Sequence, residues 1–423
     1  MRARQAGRTL ISVKDEREHT PADRGEGRGR KVTIAGGGIA ALEAILALRA
    51  LVPDVELELM APRSAFEYKP MSVLEPFALA ETPELELGRF AEEHRVAVVR
   101  DTLAAVDPDA HTLATGRGAG RGYDQLLIVT GAVALQGVPG AQPFRGRLDY
   151  ERVALLLEEY DRRQLRRLVF AVPSSAAWTL PAYELALLAS NELRVRGVDD
   201  AELVIVTPEP APLSLFGQRA SEEVGDLLRT ARISVKTSTH PRRFERGVLH
   251  AVPESAIRTD RVIALPRLVG HRFGGIPSDQ DGFIRTDEHG RVKGVEDVYA
   301  AGDITSFPVK QGGIACQQAD AAAESIAARV GATLEPEPFR PVLRGLLLSG
   351  TTARYLRSDA AGGQGDALGT RFALWEPASK VFGRHLLPYL WKEMGRDHVG
   401  GPRTENAVPV DIDVEAAIAG AAS

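Results

Sequence analysis

Lys31 to Glu43, KVTIAGGGIAALE, is an apolar run that breaks on three glycines and resumes as a stretch rich in Ala and Leu. The pattern predicts a buried strand over Lys31 to Ala35 and a helix over Ala40 to Leu51. A second strand follows over Val55 to Met60, which completes a βαβ unit. The joint, Gly36-Gly37-Gly38-Ile39-Ala40-Ala41, fits G-x-G-x-x-A in the strand-to-helix context that gives such a match meaning. Gly36 permits the tight turn. Gly38 lets backbone N–H groups approach a pyrophosphate, and the helix N-terminus at Ile39 and Ala40 adds its partial positive charge. The competing reading is a tight turn without a ligand. An acid that meets a ribose belongs roughly 20 residues further on. Glu58 has that spacing, but Met60-Ala61 occupies the strand end. Glu58 is therefore read either as a ribose acceptor or as a face residue of the alternating VELEL.

The rest of the chain bounds what such a unit serves. With 423 residues, 44% hydrophobic and 26% charged, it has the composition of a globular protein of two or three domains. A net charge of −5, spread along the chain, gives no basic surface for nucleic acid. The lone cysteine, Cys316, excludes an intramolecular disulfide and any electron shuttle through a cysteine pair. No apolar run approaches the roughly 18 residues of a membrane span, and no apolar signal core follows the first arginines. The expected location is cytoplasmic. The nine histidines show no paired spacing and no cysteine neighbours, so no metal site is expected.

A second βαβ reads from Arg167 to Val172, Pro181 to Arg196 and Ala201 to Thr207. Tyr123 to Thr130 is a further apolar strand that runs into Gly131. Asp260 to Leu265 and Asp297 to Ala301 supply strands that close the sheets. The last of these runs into Gly302-Asp303, with a helix from about Gly313. An aspartate at a strand end can accept a hydrogen bond from a ribityl hydroxyl, and a glycine before it lets the chain pass close to a flavin. A glycine loop and a Gly-Asp turn far apart in sequence are what a folded FAD site draws together.

The order GGGIAALE, FEYKP (Phe66 to Pro70), TGA (Thr130 to Ala132), a second βαβ, YAAGDIT and then VKQGG resembles the two-dinucleotide-binding-domain flavoproteins, the pyridine nucleotide-disulfide oxidoreductase-like group. It is most similar to the branch of sulfide:quinone oxidoreductases, flavocytochrome c sulfide dehydrogenases and type II NADH dehydrogenases, over roughly residues 30 to 345. The resemblance implies an α/β fold with two Rossmann-like domains, the second inserted in the first, and a C-terminal extension. It also implies roles. Lys69 and Pro70 match the loop that reaches the flavin, and Leu103 the residue whose backbone meets adenine. Thr130 and Gly131 match the crossing point near the cofactor, and Gly302 and Asp303 the ribityl and phosphate contacts. Lys310, Gln311, Gly312 and Gly313 match the loop and helix start at the pyrimidine edge of the ring, where a helix N-terminus stabilises negative charge.

The chain departs from the group in its second fold. Residues 173 to 184, PSSAAWTLPAYE, put side chains where a nicotinamide dinucleotide needs bare backbone. In the flavocytochrome sulfide dehydrogenases a similar segment holds a redox cysteine, and Trp178 stands about there instead. Trp178 reads as a shield over the ring or as a core aromatic. Glu184 reads as a helix-start charge or a proton relay, and Cys316 as a packing residue or a reactive thiol.

The extension concentrates aromatic and basic residues in ALWEPASKVFGRHLLPYLWKEM, Ala373 to Met394. It suits a cover over the flavin domain, a homodimer contact, or a peripheral seat in a membrane interface. The domain reading is a disordered tail at 1–29 and an FAD-binding domain at 30–150 with 280–345. The second Rossmann-like domain takes 151–279 and the extension 346–423. The function expected is an FAD-dependent oxidoreductase that carries electrons from a small-molecule donor to a quinone or other carrier without a cysteine relay. An NAD(P)H:acceptor reductase and a flavin-bearing binding protein without turnover are the alternatives.

Overall fold

The computed structural model describes residues 31–161, 165–253, 256–350, 353–359, 368–371, 379–395 and 407–410. The tail expected at 1–29, residues 361–367 of the glycine-rich stretch Ala361 to Gly369 and the Ala-rich end VEAAIAGAAS lie outside the described residues. Along the chain run β1 (Lys31–Ala35), α1 (Ile39–Leu51), β2 (Glu56–Met60), β3 (Val96–Val99) and β4 (Gln125–Ile128). Then come β5 (Gln142–Pro143), β6 (Arg167–Ala171), α2 (Leu180–Val195), β7 (Glu202–Val206), β8 (Ile233–Lys236) and β9 (Arg261–Ala264). β10 (Val298–Ala300), α3 (Gly312–Arg329), β11 (Val342–Leu348), β12 (Ala353–Asp359), α4 (Leu386–Met394) and short antiparallel hairpins complete the part used below.

Two five-stranded sheets organise the molecule, in the orders β10-β4-β1-β2-β3 and β5-β9-β6-β7-β8. Every pairing in them is parallel. Strands buried on both faces explain the near-continuous apolar text of VTIA and LVFA. α1 and α3 pack on each other through Ala40, Ala41, Ala44 and Ala47 on one side and Ala315, Ala319, Ala322 and Ala323 on the other, all buried. These small side chains let the two backbones come close. Leu42, Ile45 and Leu48 are fully buried beside them, each contributing roughly 1.5–3 kcal/mol over an exposed position.

PVLRGLLLSG has a place that its apolar text alone did not specify. Val342–Leu348 pairs antiparallel with β12 and packs on α2. Gly345 lies so close to Phe216 that an added Cβ would stand 2.6 Å from the ring. Of the segment Ala373–Met394, residues 373–378 lie outside the described residues. The remainder packs back on the first sheet's helices. Leu386, Leu387, Tyr389 and Leu390 of α4 are buried, and the Tyr389 ring meets Phe90 at 5.3 Å and His94 at 5.2 Å. These side chains of α4 are therefore turned into the chain itself. Pro388 does not break the helix because it falls in the first turn, where no intrahelical N–H is required.

Candidate functional site

A cleft of about 860 Å³ opens beyond the carboxyl ends of the strands of both sheets, the place where open α/β sheets bind ligands. Its floor is the loop between β1 and α1. Gly36 adopts φ +133°, and an added Cβ there would stand 2.2 Å from the Val129 carbonyl oxygen. Only glycine allows β1 to turn this close to β4. An added Cβ on Gly38, the residue before α1, meets nothing within 4 Å. The amides of the first α1 turn face the cleft with no acidic side chain among them, so the helix end offers its N–H groups and partial positive charge to an anion.

Two further groups await partners in this cleft. Thr130 Oγ1 is buried without a hydrogen bond, and the Asp303 carboxyl accepts none among the described residues. Burial raises the Asp303 pKa, against the opposing charges of Lys310 and Lys69. Gly302 holds φ +75° and donates its N–H to Gln318 Oε1 at 2.8 Å, which fixes the turn that presents Asp303. Buried polar groups lacking partners are rare in native folds. Together with the bare Gly38 backbone, these fit a dinucleotide with hydroxyls at its centre. Lys69, Pro70, Leu103, Gly131, Gln311 and Gly312 also line the cleft. Gly313 sits one step behind, against the Gln311 side chain.

At the far end, Gln311 caps α3 by accepting from Ile314 N at 2.9 Å. Lys310 is buried with Nζ 4.1 Å from the Phe283 ring centroid and bonded to the Thr305 carbonyl. Burial lowers its pKa to about 8, against Asp303 and Asp279, which raise it. Trp178 lines this end and meets Phe216 edge-on at 5.7 Å, so it is both a cleft wall and a packed aromatic. Glu184 lines the cleft as well and forms a buried ion pair with Lys380. Lys380 also donates to Leu346 O at 3.0 Å, and Glu184 accepts from Leu348 N at 2.9 Å. Burial raises the Glu184 pKa and lowers that of Lys380, each opposed by the partner's charge. The sequence reading missed Lys380 as a site residue because its partner is 196 positions away.

Two expected site residues lie elsewhere. Glu58 does not line the cleft. Its carboxylate binds Lys31 Nζ at 3.0 Å and the Arg121 guanidinium, because it falls mid-strand in β2, opposite Thr33. Burial pushes its pKa up, but Arg121 and Lys31 outweigh that and hold it below the usual carboxylate value. The stabilisation is thus present at neutral pH and lost as pH falls through the depressed pKa. Glu58→Gln is expected to cost roughly 1–2 kcal/mol at pH 7 with a smaller deficit in acid, read by urea unfolding. Flavin uptake should stay within about twofold of wild type, or roughly 0.4 kcal/mol. Cys316 is also absent from the cleft. It is fully buried between α1 and Gly383, and burial, with Glu43 and Asp320 nearby, raises its thiol pKa well above the ordinary value. A protonated, sealed thiol is not a nucleophile.

The mouth of the second fold contains a residue the sequence reading passed over. Glu209, just beyond β7, accepts hydrogen bonds from Thr179 Oγ1 at 3.0 Å, Tyr183 OH at 2.7 Å and Thr207 Oγ1 at 2.8 Å. Burial raises its pKa, opposed by those three hydroxyls. The start of α2, where a second dinucleotide would lay its diphosphate, is thus engaged by the chain's own carboxyl group. Its signal in the text was Thr207-Pro208-Glu209 at a strand end.

Among the described residues no group of three or more His, Cys, Asp or Glu could hold a metal ion, and no helix is long and apolar enough to cross a membrane. The chain is 26% identical over 188 residues to a sulfide-quinone reductase of Aquifex aeolicus, an alignment that covers 43% of this chain and 44% of that protein. It is 26% identical over 248 residues to a monodehydroascorbate reductase of Solanum lycopersicum, covering 54% and 53%. The chain thus spans about half the length of these curated relatives. The solved sulfide:quinone oxidoreductase of Aquifex aeolicus superposes with a TM-score of 0.73 at 19% identity, covering 78% of this chain and 84% of that one, which shows the shared two-domain fold. The pyridine nucleotide-disulphide oxidoreductase family model matches residues 30–325. On that match, over a cleft built from both ends of the same span, the chain belongs to the pyridine nucleotide-disulphide oxidoreductase family.

Proposed function

We propose that the chain is an FAD-dependent oxidoreductase that takes electrons from a small-molecule donor and passes them to a quinone or another carrier without a cysteine relay. The observation that carries this reading is one continuous cleft that joins the Gly38 helix start to the partnerless Asp303 and Thr130. The bound flavin supplies the reversible redox couple. The chain's own groups position it: the α1 N-terminus holds the diphosphate, Asp303 accepts from a ribityl hydroxyl, and Lys310 and the α3 N-terminus face the pyrimidine edge. Residues 30–150 with 280–345 form the cofactor domain in this reading, and 151–279 the second. The absence of any cysteine among the cleft-lining residues supports direct exchange with the flavin.

The alternative donor, NAD(P)H, is disfavoured by the side chains of residues 173–179 and by Glu209 at the start of α2. A phosphate there would displace an internal carboxyl group from three hydroxyl donors, with charge repulsion added at pH values where Glu209 is ionised. The experiment is an anaerobic titration of the purified, FAD-reconstituted protein. The expected result is a yellow protein that NADH and NADPH bleach slowly or not at all. A colourless protein that refuses FAD sinks the proposal, and rapid bleaching by NADH replaces it with the NAD(P)H:acceptor reading. Failure of every small reductant, sulfide included, favours a flavin-bearing binding protein.

A further inference from the structure

Phe144, Arg145 and Gly146 line the cleft along with Ser72 and Val73, which follow the Lys69-Pro70 loop. Phe144 N donates to Ala264 O at 2.9 Å, which holds this turn at the carboxyl end of β9. The chain then enters the helix Tyr150–Asp161. Asp149, just before that helix, is 1% exposed. One of its oxygens accepts from Arg145 N at 2.9 Å and Arg145 Nε at 2.8 Å, and the other from Arg145 Nη2 at 2.9 Å. A buried carboxylate thus fixes the plane of the guanidinium. Arg145 itself remains 34% exposed. Two of its five guanidinium N–H groups go to Asp149, and the other three have no partner among the described residues. The Nη1–Nη2 edge is therefore left for a second two-oxygen partner.

A second polar group lies against the same turn. Ser72 belongs to the 3₁₀ helix Lys69–Phe77, lines the cleft and is 4% exposed. Its hydroxyl has no hydrogen-bond partner among the described residues. Gly146 holds φ +80°, and an added Cβ there would stand 2.8 Å from Ser72 Oγ, so a side chain at 146 would collide with the hydroxyl. Lys69 lies one 3₁₀ turn before Ser72 on the same helix face and also lines the cleft. Resting on the FAD reading of the cleft, we propose that Arg145 and Ser72 form an oxyanion subsite that receives a carboxylate of the small-molecule electron donor.

The chemistry of the two groups selects the ligand. A guanidinium edge matches the two oxygens of a carboxylate, and the Ser72 O–H supplies a further donor to the same anion. Lys69 adds positive charge on the approach. The other buried cations of the cleft are already engaged, Lys380 with Glu184 and Lys310 with the Thr305 carbonyl. A neutral donor gains nothing from the Arg145 charge. Hydrosulfide, with a single heavy atom, cannot bridge the edge. Small carboxylates are thus favoured over both by charge and by fork geometry together.

Benzoate and benzamide, alike in shape and different in charge, are the probes, titrated calorimetrically into the full chain with and without FAD. Wild type is expected to bind benzoate at least about tenfold more tightly than benzamide, with the advantage shrinking as salt rises. Ser72→Ala leaves the Arg145–Asp149 pair in place and should weaken benzoate by about tenfold while benzamide is unchanged. Arg145→Met alone would strand a buried carboxylate. It is therefore combined with Asp149→Asn, which keeps an acceptor for the backbone N–H at 145, and this double variant should bind the two probes alike. Equal binding of both probes by wild type overturns the proposal. A benzoate preference that survives Ser72→Ala and the double variant overturns it too, since the anion then sits elsewhere. A chain that takes up no FAD but shows the Ser72-dependent preference keeps the oxyanion subsite and loses the flavin reading. A yellow chain without the preference loses the subsite alone.

Discussion

Lys380→Met is expected to destabilise the folded chain by about 3–5 kcal/mol near pH 8, the cost of leaving one partner of a buried ion pair without its counter-charge. The pair is buried on both sides, so solvent cannot screen the loss. Glu184 can relieve part of it by taking a proton, because burial already raises its pKa. A carboxyl group with a raised folded pKa binds more protons folded than unfolded, so the variant's stability falls as pH rises above the ordinary carboxylate range. The deficit should therefore be smaller at pH 5 than at pH 8. Lys380→Met combined with Glu184→Gln removes both charges and keeps an acceptor for Leu348 N. It should recover most of the lost stability. Urea unfolding of the two single variants and the double variant closes the cycle, and additive losses sink the claim that the pair acts as a unit.

The second large effect separates folding from binding within one loop. Gly36→Ala places a methyl group 2.2 Å from the Val129 carbonyl oxygen at a φ of +133°. Neither β1 nor β4 can move without breaking the Val129 N to Ala35 O bond at 2.8 Å. A loss of about 3 kcal/mol or more is expected, with little flavin in the purified protein. Gly38→Ala differs. Its φ of −100° suits any residue, and the added methyl group meets nothing within 4 Å. Stability should stay within about 0.5–1 kcal/mol of wild type, while FAD affinity falls at least about tenfold, or 1.4 kcal/mol. Thermal melts of the apoproteins and FAD titrations read the two effects apart. Normal FAD binding by Gly38→Ala contradicts the diphosphate placement.

These variants mark where local text was enough and where it failed. Gly36, Gly38 and Gly302-Asp303 were legible because glycines at a strand-to-helix joint and at a strand end are local patterns, although the close approach that demands glycine at 36 comes from Val129. Glu58 was misleading because spacing along the chain does not say which side of β2 an odd or even position faces. There it meets Arg121, 63 residues on. Cys316 was open in the text between packing and reactivity, and only its enclosure by Gly383 and Glu43 decided for packing. Trp178 was open in the text between a ring shield and a core aromatic; its place, on the cleft wall and edge-on to Phe216, came only from the fold.

KVTIAGGGIAALE by itself determined that a parallel βαβ unit with a glycine turn between strand and helix is present, because periodicity and glycine placement are properties of neighbouring residues. The second βαβ, the missing second glycine loop and the lack of a cysteine pair were determined in the same way. What only the tertiary structure decided is how the far end of the chain enters the site. Lys380 against Glu184, Glu43 under the start of α4, and Glu209 at the mouth of the second fold depend on contacts across the folded chain. Buried charges choose partners by proximity in three dimensions, and that proximity leaves no period in the sequence.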